Sequence, residues 1–269
     1  MVKFPNAKIN LGLHVLRKRE DGYHDLETIF YPVALYDCLE FVPSSTHSFQ
    51  AYGKNIAGSA SDNLILKAYD VLKQDYPSLP PLEIHLYKHI PMGAGLGGGS
   101  SDGAYMLMML NKYFQLEISK TTLKNYALQL GSDCPFFIEN TPCLAYGRGE
   151  ELHPIDLDLR HYHLVLVKPS VHISTASAFK HIIPNDQRRS LKHCIELPLE
   201  EWKFALTNDF EEALFSSYPE LADIKQSLYE QGAVYASLSG SGSTIYGLFE
   251  QPTPFKSKLD VEVYHIPSL

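Results

Sequence analysis

Residues 91–110 read PMGAGLGGGSSDGAYMLMML. Six glycines fall in this stretch, five of them between Gly93 and Gly99. Fixing glycine backbone costs more entropy than fixing any other residue type, so a cluster of this kind calls for a reason. Upstream, LEIHLYK (82–88) alternates as a strand, and downstream the methionine- and leucine-rich run predicts a helix from about Ser101 to Phe114. A glycine-rich loop between strand and helix lets main-chain N–H groups converge on an anion, and the positive end of the helix adds to their pull. Ser100 and Ser101 contribute hydroxyl groups. The stretch therefore reads as a phosphate cradle. A tight turn is the plainer reading, but it requires far fewer glycines.

Two well-known phosphate loops fit poorly. A Walker A loop, GxxxxGK[ST], needs lysine after its second glycine, and here Gly99 follows Gly98. The dinucleotide fingerprint GxGxxG is matched literally by Gly93, Gly95 and Gly98. It also needs a second strand and an acidic residue about 20 positions on, where this chain offers helix after helix.

The bulk properties set the frame. A chain of 269 residues suits two domains and can bury a large core, and 45% hydrophobic with 20% charged residues is ordinary for a soluble globular protein. The net charge of -8 argues against a nucleic-acid or anionic-membrane surface, though not against a small anion held by local donors. The four cysteines, Cys38, Cys134, Cys143 and Cys194, form no CxxC pair and read as reduced thiols. The N-terminal run MVKFPNAKINLGLHVL lacks a signal-peptide pattern, and no segment approaches a membrane-spanning length. The expectation is a cytoplasmic protein without a membrane partner.

Elsewhere the periodicity is legible in outline. AKINLGLHVL (7–16) alternates, with Ile9, Leu11, Leu13 and Val15 on a buried face and Lys8, Asn10, Gly12 and His14 on a polar one. LETIFYPV and DCLEFVP predict further strands, and the polar run 44–62 predicts a hairpin plus loop. Asp62 is placed as the N-cap of a helix over 63–76, and Gly131 as the C-terminal cap of a helix over 121–130. A hairpin is predicted around Gly147-Arg148-Gly149. A strand follows from about 162, then helices over 175–182, about 199–213 and about 219–231. AVYASLS, IYGLF and DVEVYHI predict the last strands. This describes two α+β halves, divided as 1–155 and 156–269.

Pro91 to Ala104, read as P-x-x-x-G-L-G-G-x-S-S-x-x-A, resembles the phosphate loop of the GHMP kinase superfamily, the small-metabolite kinases named for galactose, homoserine, mevalonate and phosphomevalonate. Ala7-Lys8-Ile9-Asn10-Leu11 and Gly240-Ser241-Gly242-Ser243-Thr244 resemble two further motifs of that superfamily, in the same order. AKINLGLHVLRKREDGYHDLETIF, PMGAGLGGGSSDGA and LGSDCPFF narrow the likeness to the branch whose alcohol substrate carries a cytidine diphosphate group and belongs to the methylerythritol phosphate route to isoprenoids. Gly22-Tyr23-His24 is the most telling element. The resemblance spans nearly the whole chain, densest before residue 150.

The resemblance implies an α+β fold with a ribosomal protein S5 domain 2-like N-terminal domain, a ferredoxin-like C-terminal domain and an active site in the cleft between them. It implies ATP with Mg2+, Ser101 being read as a phosphate or Mg2+ contact as well as a helix cap, and a monomer or homodimer. The loop residues Pro91, Gly93, Gly95, Leu96, Gly97, Gly98, Gly99, Ser100 and Ser101 would wrap the ATP phosphates, with Asn63 and Lys88 towards the adenine, Asn63 serving equally well as part of a helix cap. Asp133 would be the general base, its plainer role being a helix cap, and Lys8 the catalytic cation beside it. Asn10, Tyr23, His24, Thr175 and Phe179 would bind substrate, the aromatic rings sandwiching the cytosine and His24 bonding its polar edge. Asp25 is a departure, a negative charge next to an anion site. The same fold with a mevalonate- or homoserine-type alcohol, or a catalytically silent nucleotide-binding module, are the alternatives.

Overall fold

The structure, a computed structural model, describes residues 1–56 and 59–268. Its strands are β1 (Val2–Lys3), β2 (Asn6–Lys18), β3 (His24–Tyr36), β4 (Cys38–Pro43), β5 (Ser48–Gly53), β6 (Leu82–Lys88), β7 (Cys143–Tyr146), β8 (Glu151–Pro154), β9 (His163–Pro169), β10 (Tyr235–Leu238), β11 (Ile245–Phe249) and β12 (Val261–Ile266). Its α-helices are α1 (Leu64–Asp75), α2 (Gly98–Tyr113), α3 (Lys120–Leu130), α4 (Cys134–Glu139), α5 (Thr175–Ala178), α6 (Leu191–Cys194), α7 (Trp202–Ala205), α8 (Phe210–Ser217) and α9 (Pro219–Glu230). Two compact units interleave along the chain. One comprises Met1–Ala7, Leu35–Met92 and Gly97–Thr141; the other comprises Lys8–Ala34, Gly93–Leu96 and the residues from Pro142 onward.

In the first unit the sheet order is β1-β4-β6-β5. β4 runs antiparallel to β1 and β6, whereas β5 pairs with β6 in parallel, from Ser48↔Glu83 to Gly53↔Lys88. The hairpin expected over 44–62 is therefore not formed: α1 lies between β5 and its partner, and a parallel pair requires such a crossover. Residues 57 and 58 of that span lie outside the described residues. Alternating Leu39, Phe41, Leu82, Ile84 and Leu86 are buried, as are Ile65, Ala68 and Leu72 of α1 and Met106, Leu107 and Leu110 of α2. α1 and α2 meet at Gly103, where a Cβ would lie 2.9 Å from that of Leu64. The N-cap of α1 is Asn63, not Asp62: Asn63 Oδ1 accepts from the Ile65 amide at 2.9 Å, and Asp62 closes a preceding 3-10 turn.

In the second unit the four antiparallel strands run β10-β11-β9-β12. With these strands numbered in chain order, that is the 4-1-3-2 arrangement of a ferredoxin-like sheet, read from β12. The first crossover carries α5 to α9; the second, residues 250–260, contains no helix. Val165, Val167, Leu214, Leu221, Ile224, Leu228 and Leu238 share one core. Another sheet has the order β2-β3-β7-β8, with the predicted hairpin closing in register Cys143↔Pro154 to Tyr146↔Glu151.

Two expectations change here. β2 is buried on both faces from Asn6 to Val15, so its polar face, with Lys8, Asn10 and His14, is interior rather than solvated. The single helix expected over 199–213 is broken between α7 and α8. There the chain extends alongside β2, with the Leu13 amide donating to Thr207 O and the Asp209 amide to Leu13 O, both at 2.9 Å. Asn208 locks the break: its Nδ2 donates to Leu238 O and Gly240 O, and its Oδ1 accepts from the Phe210 amide.

Candidate active site

The glycine loop divides into two parts. Gly93 to Leu96 is held by its carbonyl groups. The Lys8 amide donates to Leu96 O at 2.9 Å, the Ser239 hydroxyl to Gly95 O at 2.9 Å, and the Thr244 amide to Ala94 O at 3.2 Å. Gly95, at φ 78°, packs so closely on the strand connection that a Cβ would lie 1.9 Å from Ser239 O. The Gly240–Thr244 motif is thus the tight link between β10 and β11, and its flanks anchor the loop. His172, which the sequence reading passed over, also lies on this part, its ring 2.7 Å from where a Gly93 Cβ would stand.

Gly97 onward behaves differently. Gly97 adopts a left-handed conformation, φ 69°, and turns the chain directly into α2, with the Ser101 amide bonding Gly97 O at 2.9 Å. The helix starts at Gly98, three residues earlier than the pattern suggested. Glycine's low helix propensity matters little in a first turn whose amides make no intrahelical bonds. No side chain caps this terminus. Gly99 faces open space, and the fully buried Ser101 Oγ has no hydrogen-bond partner among the described residues. Unsatisfied amides, a helix dipole and an unused hydroxyl make an anion site.

Lys88 lies beneath this turn, not beside it. Its ammonium is wholly buried, 2.5 Å from Asp37 Oδ2 and 2.6 Å from Asp102 Oδ2. A Gly98 Cβ would come within 3.0 Å of it. Burial alone would lower its pKa, but the two carboxylates outweigh burial and hold it above the usual lysine value. Burial pushes the Asp102 carboxyl up, against the pull of Lys88. Asp37 Oδ1 in turn accepts from the His89 and Ile90 amides at 2.6 and 2.9 Å, fixing the approach to Pro91. The expectation that Lys88 reaches the adenine is corrected accordingly: an enclosed ammonium held by two carboxylates supports the loop from below. Asn63 caps α1 and also borders two cavities of the first unit. One of about 290 Å3 touches Gly99, Met92 and Asp102; the other, about 470 Å3, lies over Tyr52, Lys54 and Ile56 of the 49–56 segment. Sequence reasoning missed that segment because a polar surface strand carries no chemical signature.

Asp133 stands at the N-cap position of α4, half-buried, yet in right-handed helical conformation and without a side-chain capping bond. Its plainer role, a cap, is therefore not the one it plays. Neighbouring Cys134 is buried, and burial pushes its thiol up to about 12 despite a hydrogen bond with Ser100, so it packs as a neutral thiol.

In the second unit Lys8 Nζ lies 2.5 Å from Asn10 Oδ1 and 5.0 Å from the Phe30 ring centroid. Asn10 Nδ2 donates to Thr28 Oγ1, and that hydroxyl donates to Gly12 O. The period of two in β2 thus places an ammonium and an amide side by side, with the amide oriented from the adjacent strand. His24 stacks on Phe179, centroids 4.6 Å apart and planes 13° from parallel, and Phe210 meets Phe179 edge-on. Burial and the charge of Lys18 lower the His24 pKa, which keeps the ring neutral at pH 7. Tyr23 is exposed, with the Arg148 guanidinium 4.9 Å over its ring. Thr175 Oγ1 and Ser241 Oγ are 3.2 Å apart. Asp25 pairs with Arg17 and Arg19, whose guanidinium groups hold its carboxyl below the usual range and offset its charge.

The comparisons agree with this geometry. Residues 63–140 match the family model of the GHMP kinases N terminal domain, and residues 192–261 that of the GHMP kinases C terminal. The 4-diphosphocytidyl-2-C-methyl-D-erythritol kinase of Bacteroides thetaiotaomicron is 54% identical over 254 residues, covering 93% of this chain and 92% of the relative. That of Parabacteroides distasonis is 50% identical over 258 residues, covering 96% and 95%. A crystal structure of 4-(cytidine 5'-diphospho)-2C-methyl-D-erythritol kinase superposes with a TM-score of 0.80 at 32% identity, covering 94% of this chain and 91% of that one. Mevalonate kinase of Methanococcus jannaschii, TM-score 0.71 at 14% identity, covering 100% and 98%, shares the fold. A glycine loop opening into an uncapped helix, on a chain so similar throughout to these enzymes, shows that it belongs to the GHMP kinases and, among them, to the 4-diphosphocytidyl-2-C-methyl-D-erythritol kinase family.

Proposed function

We propose that this chain transfers the γ-phosphoryl group of ATP to the 2-hydroxyl of 4-diphosphocytidyl-2-C-methyl-D-erythritol, a step in the methylerythritol phosphate route to isoprenoid precursors. The observation that carries the reading is the first turn of α2, where among the described residues nothing lies within 4 Å of a Gly99 Cβ and the buried Ser101 hydroxyl has no partner. In the reaction the substrate oxygen attacks the γ-phosphorus, the bond to the β-phosphate oxygen breaks, and ADP leaves. Asp133 accepts the hydroxyl proton. Lys8 supplies positive charge to the transferring group, with Asn10 orienting its ammonium. Pro91 and the loop from Gly93 to Ser101 hold the phosphates, and the cavities beside Asn63 take the adenosine.

No cluster of three or more His, Cys, Asp or Glu fit to hold a metal occurs among the described residues. Mg2+ commonly binds through nucleotide phosphates with one or two protein oxygens, and the Ser101 hydroxyl fits that donor set. Bound there with ATP, the ion would neutralise phosphate charge.

His24 and Phe179 present the cytosine site, with Tyr23 and Thr175 at its margin. That aromatic pair favours a cytosine-bearing alcohol over mevalonate or homoserine, which have no base to stack. The division into a nucleotide half, 1–155, and a C-terminal half, 156–269, belongs to this proposal, as do a cytoplasmic location and a monomer or homodimer. No helix among the described residues is long and apolar enough to cross a membrane. The test is ADP release from purified protein with Mg-ATP and a panel of alcohols. Release is expected with the cytidylyl substrate, and equal turnover of mevalonate or homoserine would overturn the assignment.

A further inference from the structure

On the first unit lies a cavity of about 320 Å3 to which the proposed reaction gives no task. Its floor is apolar: Met109, Phe137 and Ile138 are buried there, and Tyr105 and Met108 form its wall. Methionine adapts its shape to varied apolar guests. At the rim stand two exposed lysines, Lys3 of β1 and Lys112 in the last turn of α2. Among the described residues no carboxylate lines the cavity, although the whole chain carries 31 acidic against 23 basic residues. The polar corner is already closed upon itself. Asn140 Nδ2 donates to Asn6 Oδ1 at 2.8 Å, Asn6 Nδ2 donates to Asn140 Oδ1 at 3.0 Å, and the Tyr105 hydroxyl donates to Asn6 Oδ1 at 2.9 Å. A guest therefore displaces no structural hydrogen bond there, and what the cavity still offers is apolar surface below and positive charge above.

We propose that this cavity between α2 and α4 is a binding site for a small amphipathic anion, an alkyl chain on the methionine-lined floor and a phosphate or carboxylate head between Lys3 and Lys112. The volume suits a small ligand. It lies at the far end of α2 from the phosphate-binding turn, so occupancy does not compete with ATP. The inference stands apart from the choice of alcohol substrate.

Butyl, hexyl and octyl phosphate, titrated by calorimetry below their micellar concentrations into the full chain saturated with an unreactive ATP analogue, provide the test. Affinity is expected to rise by about fourfold for each buried methylene. Octanol should bind more weakly than octyl phosphate, and inorganic phosphate should give no heat. Octanoate in place of octyl phosphate tells which head the lysines prefer; tighter binding of either than of octanol supports the site. Lys3→Gln/Lys112→Gln should weaken octyl phosphate about tenfold and leave octanol unchanged. Met108→Trp should fill the cavity and abolish binding of both, with circular dichroism and kinase turnover unaltered. Octyl phosphate binding that is absent, or equally tight in the lysine pair variant and in Met108→Trp, would overturn the proposal. Should Met108→Trp fail to fold, Met108→Lys under the same titration replaces it, and undiminished octanol binding there would be equally fatal.

Discussion

The two parts of the glycine loop use the same residue for opposite ends. From Ala94 to Leu96 the carbonyls are consumed by the protein, through Thr244, Ser239 and Lys8, and Gly95 is glycine because a neighbouring carbonyl leaves no room for a Cβ. From Gly97 to Ser101 the helix terminus is uncapped, Gly99 is glycine with space over it, and a buried hydroxyl has no partner among the described residues. The carbonyls of the first part are committed to the fold, and the helix terminus of the second is not capped. The same distinction sorts the charged residues. Lys88 is committed, its charge spent on Asp37 and Asp102. Asp133 occupies a cap position without capping. Substitutions on the committed side should cost stability, and those on the other side should cost activity.

The largest effect is expected on the committed side. Lys88→Met leaves two carboxylates buried without their cation, a loss of about 3–5 kcal/mol of the kind seen when one partner of a buried ion pair is removed. Urea unfolding measures it. A midpoint equal to that of the parent would mean the Lys88 cluster adds nothing net to stability. Next comes Asp133→Ala. If Asp133 is the proposed general base, its removal should lower kcat by about a hundredfold or more, and kinase turnover measures it. A near-normal kcat, or a drop in stability with kcat intact, would move Asp133 to the committed class.

How far the sequence carried the reading follows the same line. β6 was legible at both ends because its alternation is bounded by Pro81 and by the loop. The hairpin at Gly147–Gly149 was legible because turn chemistry is local. The break at 206–209 was not, since it is imposed by Leu13, far away in the chain, overriding local helix propensity. The burial of β2 was half legible: alternation gave the two faces but not what covers the polar one. Lys88 was misread because its partners lie 51 and 14 positions away, and nothing in LEIHLYK announces them. Asn63 was ambiguous in sequence, since capping and adenine contact favour the same residue type, and it does cap. Ligand-facing motifs repeat within a family and can be recognised, whereas the supports beneath them are assembled by the fold.

The smallest expected effect bears on His24, which stacks on Phe179 and, in the proposed function, also meets the cytosine. Burial and Lys18 lower its pKa from 6.5, so the neutral ring, with one donor and one acceptor nitrogen, persists through pH 7. The sign follows directly. The midpoint of protonation lies below the usual 6.5, and protonation removes the acceptor. If that acceptor takes a hydrogen bond from the cytosine amino group, KM for the cytidylyl substrate should rise as pH falls through the lowered pKa, by about two- to tenfold, the worth of one hydrogen bond. KM for ATP is the control: a parallel rise would point to His172, whose ring packs on Gly93, instead of His24. His24→Gln keeps a donor and an acceptor without titrating, and should flatten the profile. A rise in KM whose midpoint lies above pH 6.5 contradicts the direction of the shift. A flat profile in the parent down to pH 5 would mean that His24 serves only to hold Phe179.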